Sequence, residues 1–295
     1  MKETFVYQDL ITHYYRHGSG QPVVLLHGFG EDSSIFNNQV EALKDICEVF
    51  VPDLPGSGTS GLLTKGAGSN VTLTDYADWL HALLQHLKLQ QVIVLGHSMG
   101  GYIALAYAEK YGQNLKGFGL LHSTAFADSE EKKDTRLKAI KIIEAYGSYS
   151  FLKSTIPNLF AAGFKQQHPN VVSDLIEKGS SFSPMALVQY YQMMIDRPDR
   201  THVLKELTIP VLFIVGTEDI AAPMDDLMQQ VHMPALCYVH ILQAVGHMGM
   251  LEATTDFNKH LVNFITDVRM SEAHASKQFK KVVGKVNNSR LIDGT

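Results

Sequence analysis

The chain has few cysteines. Only Cys47 and Cys237 occur in 295 residues. They are far apart in the sequence, and each stands in a strand-like stretch. We therefore expect two buried free thiols and no disulfide framework.

Long apolar runs and a surplus of positive charge are missing as well. No run reaches the length of a membrane span, and residues 1–9 lack the apolar core of a signal peptide. A cytoplasmic protein is therefore expected. The formal net charge of −5 gives no support for a nucleic-acid partner. No constellation of metal ligands stands out, so neither a metal nor any other cofactor is expected.

Strands and helices alternate through most of the chain. Apolar, β-branched stretches predict strands at 4–8, 11–17, 22–27, 48–52, 91–96, 115–121, 210–215 and 236–242. Helices are predicted near 33–44, after the capping signal at 72–75, at 99–111, near 224–231 and near 253–267. The first two strands should pair antiparallel. The alternation after them predicts an α/β fold with a mostly parallel sheet wrapped by helices.

A G-x-S-x-G sequence, Gly96–Gly100, joins the strand at 91–96 to the helix at 99–111. Strand, sharp turn and helix are the context of a nucleophile elbow. Such a turn strains the serine backbone and lifts the hydroxyl above the sheet, while the glycines leave room for the close approach. Ser98 is therefore the predicted nucleophile.

Two backbone N–H groups are predicted to form an oxyanion hole. Acyl transfer builds negative charge on a carbonyl oxygen, so donors must already point at it. One donor is the N–H of Met99, directly after the nucleophile. The other is the N–H of Phe29, in the loop after the strand at 22–27, where Gly28 allows the loop to turn inward.

A serine nucleophile needs a base, and the base needs an acid to orient it. On this kind of scaffold the chain order is serine, acid, histidine. Asp219 and His247 each follow the carboxyl end of a predicted strand, where such sheets place their chemistry. They are the predicted acid and base, and Glu218 and Asp128 are the competing acids.

Three other histidines stand near these motifs. His97 precedes the nucleophile and is expected to point away from it. His27 and His122 also follow strands, and we expect them to pack or to donate structural hydrogen bonds.

These stretches resemble the serine branch of the α/β-hydrolase superfamily. The motifs that carry the resemblance are Leu26–Gly30, Asp53–Gly58, Gly96–Gly101, Gly216–Asp219 and Gly246–His247, in the family's order. The resemblance implies that Ser98 is the nucleophile, His247 the base and Asp219 the acid, and that Asp53 braces the loop beside the oxyanion hole. Dehalogenases and epoxide hydrolases of this fold use an aspartate nucleophile, and they are set aside because Ser98 stands in that place.

The alternation breaks after the sixth strand. Helical stretches without strands are predicted at 130–145, 149–155, 170–178 and 184–195. By resemblance, residues 125–199 form a helical cap or lid over a core made of residues 1–124 and 200–268. Residues 269–295 form a basic C-terminal extension, in which an amphipathic helix is plausible.

The cap is rich in aromatic residues and methionine. The residues expected to line an apolar pocket are Phe126, Phe160, Met193 and Met194; other apolar residues would fill the cap's own core. Arg197 and Arg200 are expected to pair with acids at the cap hinge, and the alternative is that they bind a carboxylate.

The predicted function is hydrolysis of a carboxylic ester or lactone through an acyl-enzyme, in the manner of a carboxylesterase. The substrate would be a small to medium, largely apolar molecule, and the protein a monomer or homodimer. An enol-lactonase or a carbon–carbon bond hydrolase with the same triad is one alternative. A ligand receptor of the same fold with slow turnover is another. Turnover separates the receptor from the enzymes.

Overall fold

The computed structural model describes residues 1–66 and 69–270. Its strands are β1 Lys2–Tyr7, β2 Leu10–Gly18, β3 Pro22–Leu26, β4 Glu48–Pro52, β5 Val92–His97, β6 Leu115–Leu121, β7 Val211–Gly216 and β8 Cys237–Leu242. Its helices are α1 Asn37–Leu43, α2 Leu73–His86, α3 Met99–Tyr111, α4 Glu130–Thr155, α5 Ala162–Gln167, α6 Pro169–Gly179, α7 Pro184–Ile195, α8 Thr201–Glu206, α9 Met224–Met228 and α10 Gly249–Glu252. A last helix, α11, covers 254–270.

All eight strands form one sheet in the order β1-β2-β4-β3-β5-β6-β7-β8. β1 and β2 pair antiparallel, as predicted, and β2 is antiparallel to β4. From β4 to β8 every neighbouring pair is parallel. The carboxyl ends of β3, β5, β6, β7 and β8 therefore meet at one edge. The loops that follow these strands carry the predicted site.

The middle strands hold the core. Every residue of β5 and β7 is buried, as expected of parallel strands covered on both faces. The apolar stripe of α2 is buried too, and Trp79 within it donates its indole N–H to the Thr12 hydroxyl at 3.3 Å. Trp79 is thus a core residue. Cys47 is buried and Cys237 is half-buried, and both are free thiols.

Between β6 and β7 the chain is helical. No strand interrupts residues 122–210, all of which the structure describes, and α4 to α8 lie there. The sequence predicted separate helices at 130–145 and 149–155. The structure joins them into α4 across a kink at Gly147, where φ is +78°. The short helices α5 and α8 were not predicted, since neither is long enough to show a helical period.

The insert packs onto loops of the core. The Tyr190 hydroxyl on α7 donates to the Pro55 carbonyl at 2.8 Å and lies 2.7 Å from the Ser57 hydroxyl. No helix in the described part of the chain is long and apolar enough to cross a bilayer. Most of the predicted basic extension, residues 271–295, lies outside the described residues.

Candidate active site

The turn between β5 and α3 holds Ser98 in a strained backbone conformation. Its φ is +50° and its ψ is −117°, a region that residues with side chains rarely adopt. A Cβ on Gly100 would lie 2.2 Å from the Leu26 carbonyl oxygen, so only glycine fits there. Ser98 is half-exposed, whereas His97 before it and Met99 after it are buried. The turn therefore presents the serine at a point where its neighbours are enclosed.

The two predicted oxyanion donors are without acceptors. Neither the N–H of Phe29 nor that of Met99 has a hydrogen-bond partner among residues 1–66 and 69–270. Both groups lie in segments that follow neighbouring parallel strands, β3 and β5. Two unpaired N–H groups beside a half-exposed serine could stabilise a developing oxyanion.

Hydrogen bonds to the loop after β4 hold the loop that carries Phe29 in place. His27, which is buried, accepts the Leu54 N–H on Nε2 at 3.0 Å. The Asp53 carboxylate accepts the Ser33 N–H at 3.0 Å. Both contacts join the loop after β3 to the loop after β4, which agrees with the structural roles expected of His27 and Asp53.

A buried ion pair links the end of β5 to the loops after β3 and β8. His97 lies 3.1 Å through Nδ1 from the Glu31 carboxylate and 3.0 Å through Nε2 from the His247 carbonyl oxygen. The same Glu31 oxygen accepts the Gly28 N–H at 2.6 Å. A carbonyl oxygen only accepts hydrogen bonds, so Nε2 of His97 must donate. Nδ1 faces a carboxylate, which also accepts, so His97 carries a proton on both ring nitrogens.

Electrostatics favour that protonation state. Burial opposes charge on both His97 and Glu31, but their mutual attraction outweighs it. The pKa of His97 is raised and the pKa of Glu31 is lowered. As expected, His97 does not serve the nucleophile; it contacts the backbone of the predicted base. Glu31 was missed because nothing local in its turn marks a buried carboxylate.

Asp219 and His247 meet at the ends of β7 and β8. His247 Nδ1 lies 2.9 and 3.0 Å from the two carboxylate oxygens of Asp219. The Ala221 and Ala222 N–H groups donate to one of those oxygens at 2.9 and 2.8 Å. Burial alone would raise the pKa of Asp219, but its histidine partners lower it far below its usual range. Asp219 therefore stays ionised and can hold one tautomer of His247.

A second histidine shares the same carboxylate. His122, directly after β6, lies 3.0 Å through Nδ1 from Asp219, and its Nε2 is buried without a partner among the described residues. A Cβ on Gly249 would lie 2.3 Å from that Nε2, so the ring is tightly enclosed. Burial, together with the nearby His247 and His97, lowers the pKa of His122 in spite of Asp219, so the ring is neutral and donates from Nδ1. A structural hydrogen bond was expected of His122, but its acceptor was not foreseen.

The competing acids lie elsewhere. Asp128 pairs with Arg136 at 2.6 Å and with Arg197 at 2.9 Å. Glu218 is exposed. Of the three candidates, only Asp219 is in contact with His247.

The arginines at the expected cap hinge do pair with acids. Arg197 binds Asp128, and Arg200 lies 2.9 Å from Glu109.

The predicted pocket residues are mostly enclosed. Met193 and Met194 are 1% and 2% exposed, and Phe160 is 4% exposed and stacks on Phe164. Phe126 is half-buried, and its carbonyl accepts from Arg197. Their role in substrate binding stays a prediction.

One cavity has a lining that does not include Ser98. It has a volume of about 580 Å³ and opens between the loop after β4 and helix α7. Its lining includes Leu63, Lys65, Met185 and Gln189. None of the four predicted pocket residues lines it.

Three of the described residues also lie close enough together to hold a metal ion, namely His122, Asp219 and His247. Their ligand atoms lie within 4.8 Å of one another. The atoms concerned already hydrogen-bond to each other. These bonds explain the cluster without an ion, and the expectation of a metal-free site stays a prediction.

Known proteins resemble this chain in sequence and in fold. Residues 21–254 match the family model described as the alpha/beta hydrolase fold. A thermophilic esterase from Thermogutta terrifontis, solved with malate bound, is 27% identical, with 91% of this chain and 99% of that chain covered and a TM-score of 0.84.

Two curated relatives cover similar shares of the chain. The cis-3-alkyl-4-alkyloxetan-2-one decarboxylase of Shewanella oneidensis is 27% identical over 275 residues, 86% of this chain and 85% of that one. A 2-hydroxy-6-oxononadienedioate/2-hydroxy-6-oxononatrienedioate hydrolase of Pseudomonas putida is 26% identical, with 88% and 93% covered.

Proposed function

The chain belongs to the α/β-hydrolase fold family, and we propose that it is a serine hydrolase that cleaves carboxylic ester or lactone bonds. In this proposal Ser98 is the nucleophile, His247 the base and Asp219 the acid. Phe29 and Met99 supply the oxyanion donors through their backbone N–H groups.

The observation that carries the proposal is the Asp219–His247 pair. Its 2.9 Å contact fixes Nδ1 of His247 as the donor, so Nε2 is the ring nitrogen left to accept a proton. Ser98, Asp219 and His247 follow β5, β7 and β8, whose carboxyl ends lie at one edge of the sheet. A nucleophile, a base and an acid oriented in this way are the parts that acyl transfer requires.

The reaction proceeds in two steps. Ser98 Oγ attacks the carbonyl carbon while His247 takes the hydroxyl proton, and the carbonyl oxygen becomes an oxyanion held by the two N–H groups. Collapse breaks the bond to the alcohol oxygen, which receives the proton from His247 and leaves an acyl-enzyme. Water then attacks the acyl group and gives a proton to His247. His247 returns that proton to Ser98 Oγ as the acyl–oxygen bond breaks, and the acid is released.

The relatives support this class of bond. One structural relative is an esterase, and an oxetan-2-one, named for the Shewanella protein, is a four-membered lactone. The Pseudomonas hydrolase supports a second candidate, carbon–carbon bond cleavage by the same triad. Assay of esters, lactones and vinylogous diketones side by side separates the candidates.

We also propose that the helical insert covers the site. The Tyr191 ring on α7 stacks on Phe29 with centroids 4.2 Å apart. The Leu159 carbonyl accepts the His247 N–H at 2.7 Å. These contacts join the insert to the oxyanion loop and to the histidine loop. The division of the chain into core and cap, the cytoplasmic location and the oligomeric state stay predictions.

Labelling with a fluorophosphonate probe tests the nucleophile. We expect wild-type protein to be labelled covalently at Ser98, and Ser98→Ala to resist labelling and to lose activity by about 10⁴-fold or more. Ser173→Ala, which removes an exposed hydroxyl on α6, is the matched control and should behave as wild type. Full activity in Ser98→Ala would refute the proposal, and labelling without turnover of any substrate would favour a receptor.

A further inference from the structure

A surplus of positive charge lies at the base of the helical insert. Arg136 Nε donates to Asp128 at 2.6 Å, and Arg197 Nη1 lies 2.9 Å from the same carboxylate. One carboxylate thus faces two guanidinium groups, which leaves a net charge of one positive unit in this cluster. Asp128 is 5% exposed and Arg197 6% exposed, so water screens the surplus poorly.

The two arginines differ in how many of their N–H donors already form hydrogen bonds within the described residues. Arg197 donates to the Phe126 and Met194 carbonyls in addition to its pair with Asp128. Arg136 donates only to Asp128 within the described residues, and its Nη1 has no partner there. Arg197 therefore has a structural role, whereas Arg136 has N–H donors that are free to bind a ligand.

Two tyrosines near Arg136 also have unused hydroxyl groups. Neither the Tyr102 nor the Tyr191 hydroxyl has a hydrogen-bond partner among residues 1–66 and 69–270, and neither is sealed from solvent, unlike that of Tyr107. Both rings act electrostatically on Arg136, and with Asp128 they raise its pKa although burial alone would lower it. The guanidinium therefore stays charged beside two free hydroxyls.

Ring contacts connect the cluster to the oxyanion loop, and Tyr102 lies on the helix that begins directly after the proposed nucleophile. The Arg136 guanidinium lies 5.4 Å from the centre of the Tyr191 ring, which stacks on Phe29 of the oxyanion loop. Tyr102 follows Ser98 by four residues on α3, so its side chain leans back toward the turn that holds the serine. The same ring lies 4.0 Å beneath the Arg197 guanidinium.

We infer that Arg136, with the Tyr102 and Tyr191 hydroxyls, binds a carboxylate of the substrate. The inference rests on the proposed function and narrows its substrate class to esters or lactones that carry a carboxylate away from the cleaved bond. A guanidinium fork with free N–H groups matches the planar carboxylate. A single surplus charge balances one carboxylate, whereas a phosphate dianion would remain half-neutralised.

Paired substrates test the inference. The carboxylate set is the 4-nitrophenyl monoesters of glutarate, adipate and pimelate. The neutral set is 4-nitrophenyl pentanoate, hexanoate and heptanoate, which match them in chain length. We expect wild-type kcat/KM to favour the carboxylate ester in at least one pair.

Arg136→Gln should lower kcat/KM for the favoured carboxylate ester by about 10- to 100-fold, the size expected of hydrogen bonds to a charged group. The loss on the matched neutral ester should be much smaller. Lys138→Gln removes the same charge from an exposed position of the same helix, and it should leave both values near those of wild type.

Arg136→Lys and a measurement on unaltered protein guard against a folding defect in Arg136→Gln. The lysine variant keeps the charge but loses the fork, so it should fall between wild type and Arg136→Gln. On wild type, adipate should inhibit hydrolysis of the neutral ester more strongly than adipamide, and added salt should weaken that inhibition.

Each failure has its own signature. Wild type that hydrolyses neither set of esters would count against the proposed function. Ser98→Ala, which lacks the proposed nucleophile, is the negative control and should hydrolyse neither set. Hydrolysis of the neutral set with no carboxylate preference at any length, and equal inhibition by adipate and adipamide, would overturn the carboxylate inference alone. Equal losses in Arg136→Gln and Lys138→Gln would do the same.

Discussion

At the scale of single residues, the Asp219 carboxylate accepts several of the hydrogen bonds that hold the site together. It accepts hydrogen bonds from His122, His247 and two backbone N–H groups. Five N–H···O contacts on one carboxylate, counting both distances to His247, hold it rigidly and keep it ionised. Asp128, the alternative acid, is committed to arginines instead. The two aspartates should therefore fail in different ways when neutralised.

Asp219→Asn should abolish most activity, about 10⁴-fold, because an amide no longer selects the right tautomer of His247. Asp128→Asn should act mainly on stability, with a loss of about 3–5 kcal/mol, because two guanidinium groups lose their shared counter-charge. Kinetics together with urea unfolding of both variants would measure this. If Asp128→Asn lost activity at full stability while Asp219→Asn stayed active, the assignment of the acid would be wrong.

His122 allows a second test at this scale, because it donates to the same carboxylate as His247. In His122→Leu the Asp219 carboxylate loses one of its donors and is held less rigidly against His247. We therefore expect kcat to fall by about 10-fold, the size expected for loss of a hydrogen bond to a charged group. His122→Asn can place an N–H near the former Nδ1 and should restore most of the wild-type kcat.

A merely structural role for His122 would lower stability without lowering the kcat of the folded protein. The comparison of the leucine and asparagine variants at matched fractions folded distinguishes the two roles. An unchanged kcat in His122→Leu would contradict the prediction.

At the scale of elements, the turn from β5 to α3 depends on how closely it approaches β3. A Cβ at position 100 would meet the Leu26 carbonyl oxygen at 2.2 Å, and backbone atoms cannot yield as a side chain can. Gly100→Ala should cost about 3 kcal/mol of the free energy of unfolding. Gly112→Ala is the matched control: a Cβ there meets nothing within 4 Å, and φ is −56°.

The control should be neutral or stabilise the protein by about 1 kcal/mol or less, since it only restricts the unfolded chain. Chemical denaturation of the two variants gives both values. Equal stabilities would mean that the elbow is looser than its geometry indicates.

The helices of the insert show which features of a helix a local sequence pattern predicts. The helices α6 and α7 were predicted at 170–178 and 184–195 and occur at Pro169–Gly179 and Pro184–Ile195. The two pieces of α4 were predicted as separate, and the kink at Gly147 explains why: its φ of +78° breaks the helical period. The period of a helix is local, so the sequence reports it. Which side of a helix faces the site is not local, and the four predicted pocket residues stay untested for that reason.

At the scale of the whole molecule, the Glu31–His97 pair joins the end of β5 to the loops after β3 and β8. The raised pKa of His97 means that its contribution is complete below its ordinary value of 6.5 and is lost as the pH rises through the raised pKa. The lowered pKa of Glu31 means that its contribution is present above 4.5 and is lost as the pH falls through the lowered pKa. Both contributions are therefore complete between these two values.

Glu31→Gln should destabilise the protein most near pH ~6 and less near pH ~9, because the pair contributes most where His97 is fully charged. Groups that titrate in both proteins, such as Asp219, cancel in the difference. Thermal melts of wild type and variant across this range would measure the gap. A gap that widens toward alkaline pH would show that His97 is neutral in the folded protein.

The sequence by itself determined the alternation of strands and helices, the strained turn at Ser98, the chain order of the residues proposed as nucleophile, acid and base, and the helical insert after β6. These features depend on hydrophobic period, turn chemistry and spacing, which are carried by residues close together in the chain.

Only the tertiary structure decided that His122 shares Asp219, that Glu31 pairs with His97, and that Arg136 stands among Tyr102 and Tyr191. Each of these pairings joins residues from different strand ends or from core and insert, 55 or more positions apart in the chain except for Arg136 and Tyr102. Such pairings depend on which elements become neighbours and on which buried charge finds which partner. Those choices follow from packing and desolvation of the folded chain, which no local pattern records.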